Sequence, residues 1–422
     1  MPIRDTTQEA AGNLLICIKT EPHILTLEII MMVEYHIKKT LTLLVLCIFY
    51  FVNLSYSAHK NSNFSGAVNP VIYTSDLFHP HADPDDHWDL VTVYALASKG
   101  MIELQGICLN WPCERVFKQY FNTPIGDPAV MSIAQMNYIT GKTIPCCVGS
   151  DKEMKSLYDT QSDYHINGVN MIINTLRLAD HKVMIHIVGS ARDVAIAGNR
   201  EPDLFAQKCA AIYLVAGRSD GDPNEYNITL DCQAFARIFQ LPCPVYWMPC
   251  LKTIKDNKVV LGEYDCWYTF KQREILPDLS NNMQNFFIFA FKPGWQPNPK
   301  SEAEKSFSYA SLQWLRAITG EPDKQAVTKY GSFERNMWST AAFLHCAGKT
   351  VTCEGEIIDR EKLEKDNAVF AFKPVKIKIN DDRVIEWSLT EESTNRYIFQ
   401  KNIKYYDFAM TKALKELLIS LP

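Results

Sequence analysis

The chain has 422 residues, with 43 Lys and Arg against 48 Asp and Glu, giving a formal net charge of -5. That balance excludes the strongly basic face of a nucleic-acid binder, so no nucleic-acid partner is expected. Hydrophobic residues at 47% and charged residues at 22% exclude wholesale disorder, and the length provides for a sizeable core.

The amino-terminal stretch reads as targeting sequence. Lys38 and Lys39 precede an apolar run from Leu41 to Val52, and Ser55-Tyr56-Ser57 follows as a small-x-small exit. Basic flank, short apolar run and small-residue exit describe a secretory signal peptide. The run is short of the roughly 20 residues that span a bilayer. Residues 1–57 are therefore expected to be an extension plus a signal peptide cut after Ser57, and the protein to be secreted. The alternative is an uncleaved signal anchor. Residues 1–30 precede Met31-Met32, where translation is expected to begin. Secretion permits disulfides, but removal of Cys17 and Cys47 leaves an odd number of the 13 cysteines. Cys108/Cys113, Cys243/Cys250 and Cys346/Cys353 are close in sequence, lack the C-x-x-C spacing of a zinc site, and leave connectivity open. Asn63 and Asn227 stand in N-x-S/T sequons.

From residue 68 to 422 a single domain is expected. Pro70–Thr74 reads as a strand and Trp88–Ser98 as a helix, with Leu90, Val91, Val93 and Leu96 at helical spacing. Then follow a strand over Ile102–Leu109, a helix over Pro128–Ile139 ending at Gly141, and a strand over Ile144–Val148. A helix over Gly168–Leu178, a strand over Val183–Val188 and a helix opening at Asp193 continue the alternation. Ala211–Ala216 and Pro244–Met248 are strands flanking a helix over Asp231–Phe239. This rhythm predicts an α/β fold, an open and mostly parallel sheet flanked by helices. Residues 250–345 read as a helical, aromatic insertion. A small carboxy-terminal β-hairpin with a further strand (Val375–Ile379, Val384–Leu389, Arg396–Gln400) and an amphipathic helix over Tyr406–Leu418 close the chain.

The stretch from Asp76 to His87 carries the chemistry. Asp76, Asp83, Asp85 and Asp86 crowd the turn between the first strand and the first helix, and open parallel sheets bind ligands at the carboxyl ends of their strands. Four carboxylates so close repel unless neutralised, and a hard divalent cation does this well. Acids also favour helix starts, but a cap needs one or two. His79, His81 and His87 leave Zn²⁺ or Mn²⁺ open beside Ca²⁺.

These residues resemble the inosine-uridine-type nucleoside hydrolases. Their signature is D-x-D-P-G-x-D-D, and here Thr74-Ser75-Asp76, an insertion and Asp83-Pro84-Asp85-Asp86 stand in its place. The wording is nearer the divergent nucleoside-hydrolase-like branch, T-D-I-G-G-D-P-D-D. Three later segments resemble family landmarks in the same order: Ile144 to Ser150 (I-P-V-x-x-G), Ile187 to Ala195 (L-x-x-G-P-L-T-N-I-A) and Glu225 to Asp231 (E-F-N-I-x-x-D). The resemblance covers about residues 70 to 420.

The resemblance implies calcium-dependent cleavage of an N-glycosidic ribosyl bond of a nucleoside or related glycoside. It makes Asp85 the general base. Asp86, Asp76, Asp83 and the Val188 carbonyl become Ca²⁺ ligands, with Asn336 as a further oxygen donor. Glu225 and Asn227 become partners of the ribose hydroxyls, and Trp338 a surface for the base or a core residue. Glu225 to Asp231 reads otherwise as a strand-end turn with a helix cap at Asp231. Classical members carry a His-Asp pair before a later helix, one as metal ligand and one to protonate the leaving base; Glu334 to Leu344 has neither. The alternatives are therefore a catalytically impaired relative that binds a nucleoside or sugar, and an unrelated metallohydrolase. Classical members form dimers or tetramers, which leaves a homo-oligomer open.

Overall fold

The computed structural model describes residues 68–79, 84–111, 127–256, 258–291, 313–363, 367–380, 384–392 and 394–422. The signal-peptide reading, the Asn63 sequon, His81, Asp83 and Cys113 lie outside these residues. All that follows concerns the compact unit from Val68 to Pro422.

A nine-stranded sheet organises this unit. Its strands are β1 (Pro70–Ser75), β2 (Glu103–Leu109), β3 (Cys146–Val148), β4 (Val183–Ile187), β5 (Cys209–Val215) and β6 (Val245–Met248), joined near the carboxyl terminus by β11 (Phe370–Ile379), β12 (Ile385–Leu389) and β13 (Arg396–Lys401). The spatial order is β12-β11-β13-β6-β5-β4-β1-β2-β3. The seven strands from β13 to β3 are parallel to their neighbours, and β11 and β12 run antiparallel at one edge. The carboxy-terminal strands thus extend the central sheet.

The β1 to β6 strands are apolar because helices cover both faces. One face packs against α3 (Asn167–Leu178), α4 (Arg192–Arg200), α5 (Pro202–Lys208) and α7 (Cys232–Ile238), through residues such as Val169, Val194, Phe205 and Phe235. The other packs against α1 (Asp85–Ser98), α2 (Val130–Thr140), α8 (Asn281–Phe291), α10 (Thr340–Cys346) and α11 (Tyr406–Leu418). Gly141 ends α2 in the left-handed region at φ 64°, a conformation that suits glycine.

On this second face one residue from each of five neighbouring strands falls in register: Tyr73, His186, Tyr213, Tyr246 and Tyr397. The last four rings stack pairwise at 4.7, 4.9 and 4.7 Å between centroids. Burial holds His186 down at about 3, so its ring is neutral near pH 7.

The stretch from residue 250 to 345 is more mixed than its sequence suggests. It has helices α8, α9 (Lys324–Gly331) and α10, but also a hairpin of β7 (Thr253–Lys255) and β8 (Lys258–Val260). Strand β9 (Tyr268–Lys271) pairs antiparallel with the distant β10 (Glu334–Met337). No helix among the described residues is long and apolar enough to cross a membrane.

Candidate functional site at the centre of the sheet

The strand order places β1 in the middle, with β2 and β3 added on one side and β4 to β6 on the other. In such sheets the crevice between β1 and β4, at their carboxyl ends, is the topological switch point where ligands bind. Asp76 follows β1 directly, Val188 follows β4 directly, and Asp85 and Asp86 begin the helix that leads away from β1. The sequence motif and the topology point to the same place.

The site is built from tight backbone contacts. The Val188 N–H donates to the Thr74 carbonyl at 3.0 Å, and the Asn110 N–H donates to the Ser75 carbonyl at 2.8 Å, so β1, β2 and β4 stay joined to their ends. Gly189 lies against Asp76: a Cβ there would stand 2.4 Å from Asp76 Oδ1 and 2.6 Å from its amide nitrogen. No side chain fits.

Asp76 and Asp86 are only 6% and 5% exposed. The Ser75 hydroxyl donates to Asp86 Oδ1 at 3.0 Å and accepts the Leu77 N–H at 3.1 Å. Asp86, Asp89 and Asp76 all lie near the Tyr73 phenol, which burial first and these negative charges next push upward. Helix α1 starts at Pro84 without a side-chain cap, so Asp85 and Asp86 lie in its first turn, where the helix dipole favours negative charge. Asp85 lies electrostatically close to Cys250, at the end of β6, as does Glu225. His87 is not a loop residue: it is fully buried in α1, facing the Phe286 ring at 6.0 Å.

Glu225 and Asn227 are held by the backbone. Glu225 caps α6 (Tyr226–Leu230), with Oε1 accepting the Asn227 N–H at 3.0 Å and Oε2 accepting those of Gly217 and Ile228 at 2.7 and 3.1 Å. Burial raises its pKa against the lowering effect of these bonds. The Asn227 amide donates to the carbonyls of Val215, at 3.0 Å, and Val188, at 3.4 Å. It bridges the ends of β4 and β5, and a glycan on its nitrogen is incompatible with both bonds. Asp231 caps α7, accepting from the Ala234 N–H.

Asn336 sits in β10 with its Oδ1 accepting from the Thr269 hydroxyl at 2.9 Å. That oxygen keeps a second lone pair. Trp338 is half-buried, its indole N–H donating to the Cys250 carbonyl at 3.1 Å and its ring tilted on Trp267. It straps the end of β6. His345, just beyond the segment lacking the His-Asp pair, bonds through Nδ1 to the Tyr213 hydroxyl at 2.8 Å, in mid-strand.

The sequence reading missed the braces of this rim. Arg192, fully buried, donates from Nε to Asp231 Oδ2 at 2.9 Å, from Nη1 to the Ser150 carbonyl at 2.8 Å and from Nη2 to the Leu230 carbonyl at 2.7 Å. Asp193 accepts the Ser150 N–H at 2.7 Å and the Asn110 amide at 2.8 Å; burial raises its pKa. The signal was present: Arg192-Asp193 places two charges at a strand-to-helix turn where the family pattern is uncharged, and buried charges need partners. Asn110 Oδ1 is buried and finds no hydrogen-bond partner among the described residues, which makes Asn110 a further candidate for contact with a polar ligand.

The donors suit a hard cation in kind: buried carboxylates and a main-chain carbonyl. Among the described residues no three His, Cys, Asp or Glu side chains gather as a ligand set, and Asp83 lies outside those residues.

No family model and no curated protein matches the chain. Solved structures do. It is similar to a purine-preferring ribonucleoside hydrolase from Gardnerella vaginalis at 11% identity and a TM-score of 0.46, over 83% of this chain and 99% of that one. It is similar to the type III effector XopQ, solved with adenosine diphosphate ribose, at 13% identity and a TM-score of 0.45, over 83% and 94%. An inosine-uridine preferring nucleoside hydrolase from Bacillus anthracis matches at 12% identity and a TM-score of 0.38, over 83% and 100%. Likeness this distant says nothing of activity, substrate or metal in this chain.

Proposed function

We propose that this chain is a hydrolase that cleaves the N-glycosidic bond of a nucleoside or related glycoside. The observation that carries the reading is that Asp76 and Asp86, two buried carboxylates that both act on the Tyr73 phenol, follow β1 and open α1 at the switch point of the sheet, with Asp85 the first residue of that helix. Cleavage of such a bond develops positive charge on the sugar, and fixed carboxylates stabilise it. The anomeric carbon loses its bond to the base nitrogen, which keeps the electron pair. A water oxygen forms the new bond and gives its proton to Asp85.

Calcium is part of this proposal, with Asp76, Asp83, Asp86 and the Val188 carbonyl as its holders. When bound, it supplies a positive charge that anchors vicinal sugar hydroxyls and acidifies water. Secretion after cleavage at Ser57 belongs to the same proposal and is tested by the mass of the mature amino terminus, expected at Ala58.

The commitment of Glu225 to three backbone N–H groups favours a second reading, a relative that binds a nucleoside or sugar without cleaving it. One experiment separates the two: ribosides and other glycosides are incubated with the full chain, with and without Ca²⁺, and free base and reducing sugar are measured. Calcium-dependent release supports the enzyme. Binding by calorimetry with no release from any compound supports the binder.

A further inference from the structure

Two pairs of buried cysteines touch, and neither pair is close in sequence. Cys209 opens β5, and Cys243 lies just before β6, the neighbouring strand, where the Ile212 N–H donates to the Pro244 carbonyl at 2.9 Å. The register that pairs Ile212 with Val245 brings the Cys209 thiol beside that of Cys243. Cys250 lies just past β6, and Cys266 just before β9. The Cys266 N–H donates to the Pro249 carbonyl at 2.9 Å, which brings the two thiols side by side. The four residues are 1%, 4%, 5% and 0% exposed. Every described cysteine is a thiol in this structure.

The neighbouring pair Cys243 and Cys250 is excluded by geometry. Strand β6 runs between them, and at about 3.3 Å per residue their separation is on the order of 20 Å, whereas a disulfide needs Cα atoms within about 7 Å.

We propose that Cys209–Cys243 and Cys250–Cys266 are the disulfides this chain forms when it folds in the presence of a disulfide oxidant. For each bond, one cysteine thiolate attacks a sulfur of the oxidant and releases one thiol, leaving a mixed disulfide. The partner thiolate attacks the protein sulfur of that mixed disulfide and releases the second thiol. The protein pair is oxidised, the oxidant is reduced, and the two protein protons end on the two released thiols. The partner thiol first and burial next raise the pKa of Cys209 and Cys250, and burial closes access, so the bonds form during folding, before the thiols are enclosed.

The two bonds act at opposite ends of the sheet. Cys209–Cys243 joins the first residue of β5 to the segment just before β6. Cys250–Cys266 closes the loop carrying the β7–β8 hairpin, whose Ile254, Val259 and Val260 are exposed. It also fixes a point of the site rim, because the Cys250 N–H donates to Gly217 and its carbonyl accepts from Trp338. The inference depends on neither the proposed reaction nor the metal.

The test is peptide mapping of the full chain refolded from the reduced, denatured state in a mixture of oxidised and reduced glutathione. Free thiols are alkylated in denaturant, where burial no longer protects them, and the protein is digested without reduction. The expected result is two linked peptide pairs, 209 with 243 and 250 with 266, with all four cysteines unalkylated. Alkylation of these four in protein refolded to native secondary structure overturns the proposal, as does any other pairing of them. In a Cys266→Ser variant, Cys250 should become alkylatable while the 209–243 link remains. Cys250 linked to a different cysteine in that variant, with no 250–266 link in the parent chain, also overturns it.

Discussion

The Ser75 hydroxyl donates to Asp86 Oδ1 at 3.0 Å, joining the last residue of β1 to the first turn of α1. Eleven positions apart in sequence, these residues close the loop whose acids define the site. The same oxygen accepts the Leu77 N–H, so one hydroxyl orients the buried carboxylate and the turn leading to it. Ser75→Ala is expected to cost about 1–3 kcal/mol, the range for leaving buried polar groups without a partner. Urea unfolding of the two proteins gives the difference, and an unchanged midpoint counts against this pairing.

Asp86→Ala should abolish calcium binding while leaving the sheet intact. Titration calorimetry with Ca²⁺ alone reads the first and circular dichroism the second. Unchanged affinity removes Asp86 from the ligand set, and activity untouched by a chelator removes calcium from the reaction.

Asp85→Asn keeps the size of the side chain but cannot accept a proton. Turnover is expected to fall by at least about 10²-fold, the lower end for loss of a general base, while ligand affinity persists. Wild-type turnover in this variant places the base elsewhere.

Arg192→Met leaves Asp231 buried without its charge partner, and removal of one member of such a pair costs about 3–5 kcal/mol. Asp231→Leu in the same chain should recover part of that loss, because it removes the stranded charge. A double-mutant cycle by chemical denaturation measures the coupling, and simple additivity of the two losses argues against the brace.

Burial raises the Glu225 pKa above its ordinary value, more than its backbone bonds lower it. The folded state therefore holds the proton more tightly than the unfolded chain. Stability linked to this group is fully present below the unfolded value, near pH 4.3, and is lost as pH rises through the folded one. Asp193 has the same direction from the same cause. Glu225→Gln is expected to be less stable overall, because an amide cannot accept all three N–H bonds, yet to show a flatter decline in melting temperature from about pH 4 upward. A decline as steep as that of the wild type rejects the assignment.

The alternation of strands and helices was legible because it rests on local periodicity. Tyr406–Leu418 was read to the residue from its amphipathic spacing, and the acidic turn stood out because unpaired like charges do not crowd without cause. What sequence could not carry was pairing at a distance. Strand β9 meets β10 across more than sixty residues, and an isolated aromatic stretch does not announce that partner. Strand order, and with it the position of Asp76 beside Gly189, is likewise a property of the assembled sheet. Glu225 looked like a ligand residue from its motif; only the three N–H groups around it show its use as a cap. His87 stands among prolines and acids in sequence, but the helix that begins at Asp85 turns it into the core.

The Asn227 bridge between β4 and β5 sets two processes against each other in any cell that glycosylates secreted chains. Glycan transfer acts on the unfolded sequon, whereas the fold needs the same amide nitrogen to reach the carbonyls of Val215 and Val188. A chain modified first cannot close that bridge, and a chain folded first no longer presents the acceptor. Expression in a eukaryotic secretory host is therefore expected to sort molecules by which event comes sooner. Thr229→Ala would remove the contest by erasing the sequon while leaving the amide in place, at the loss of one local bond to the Tyr226 carbonyl.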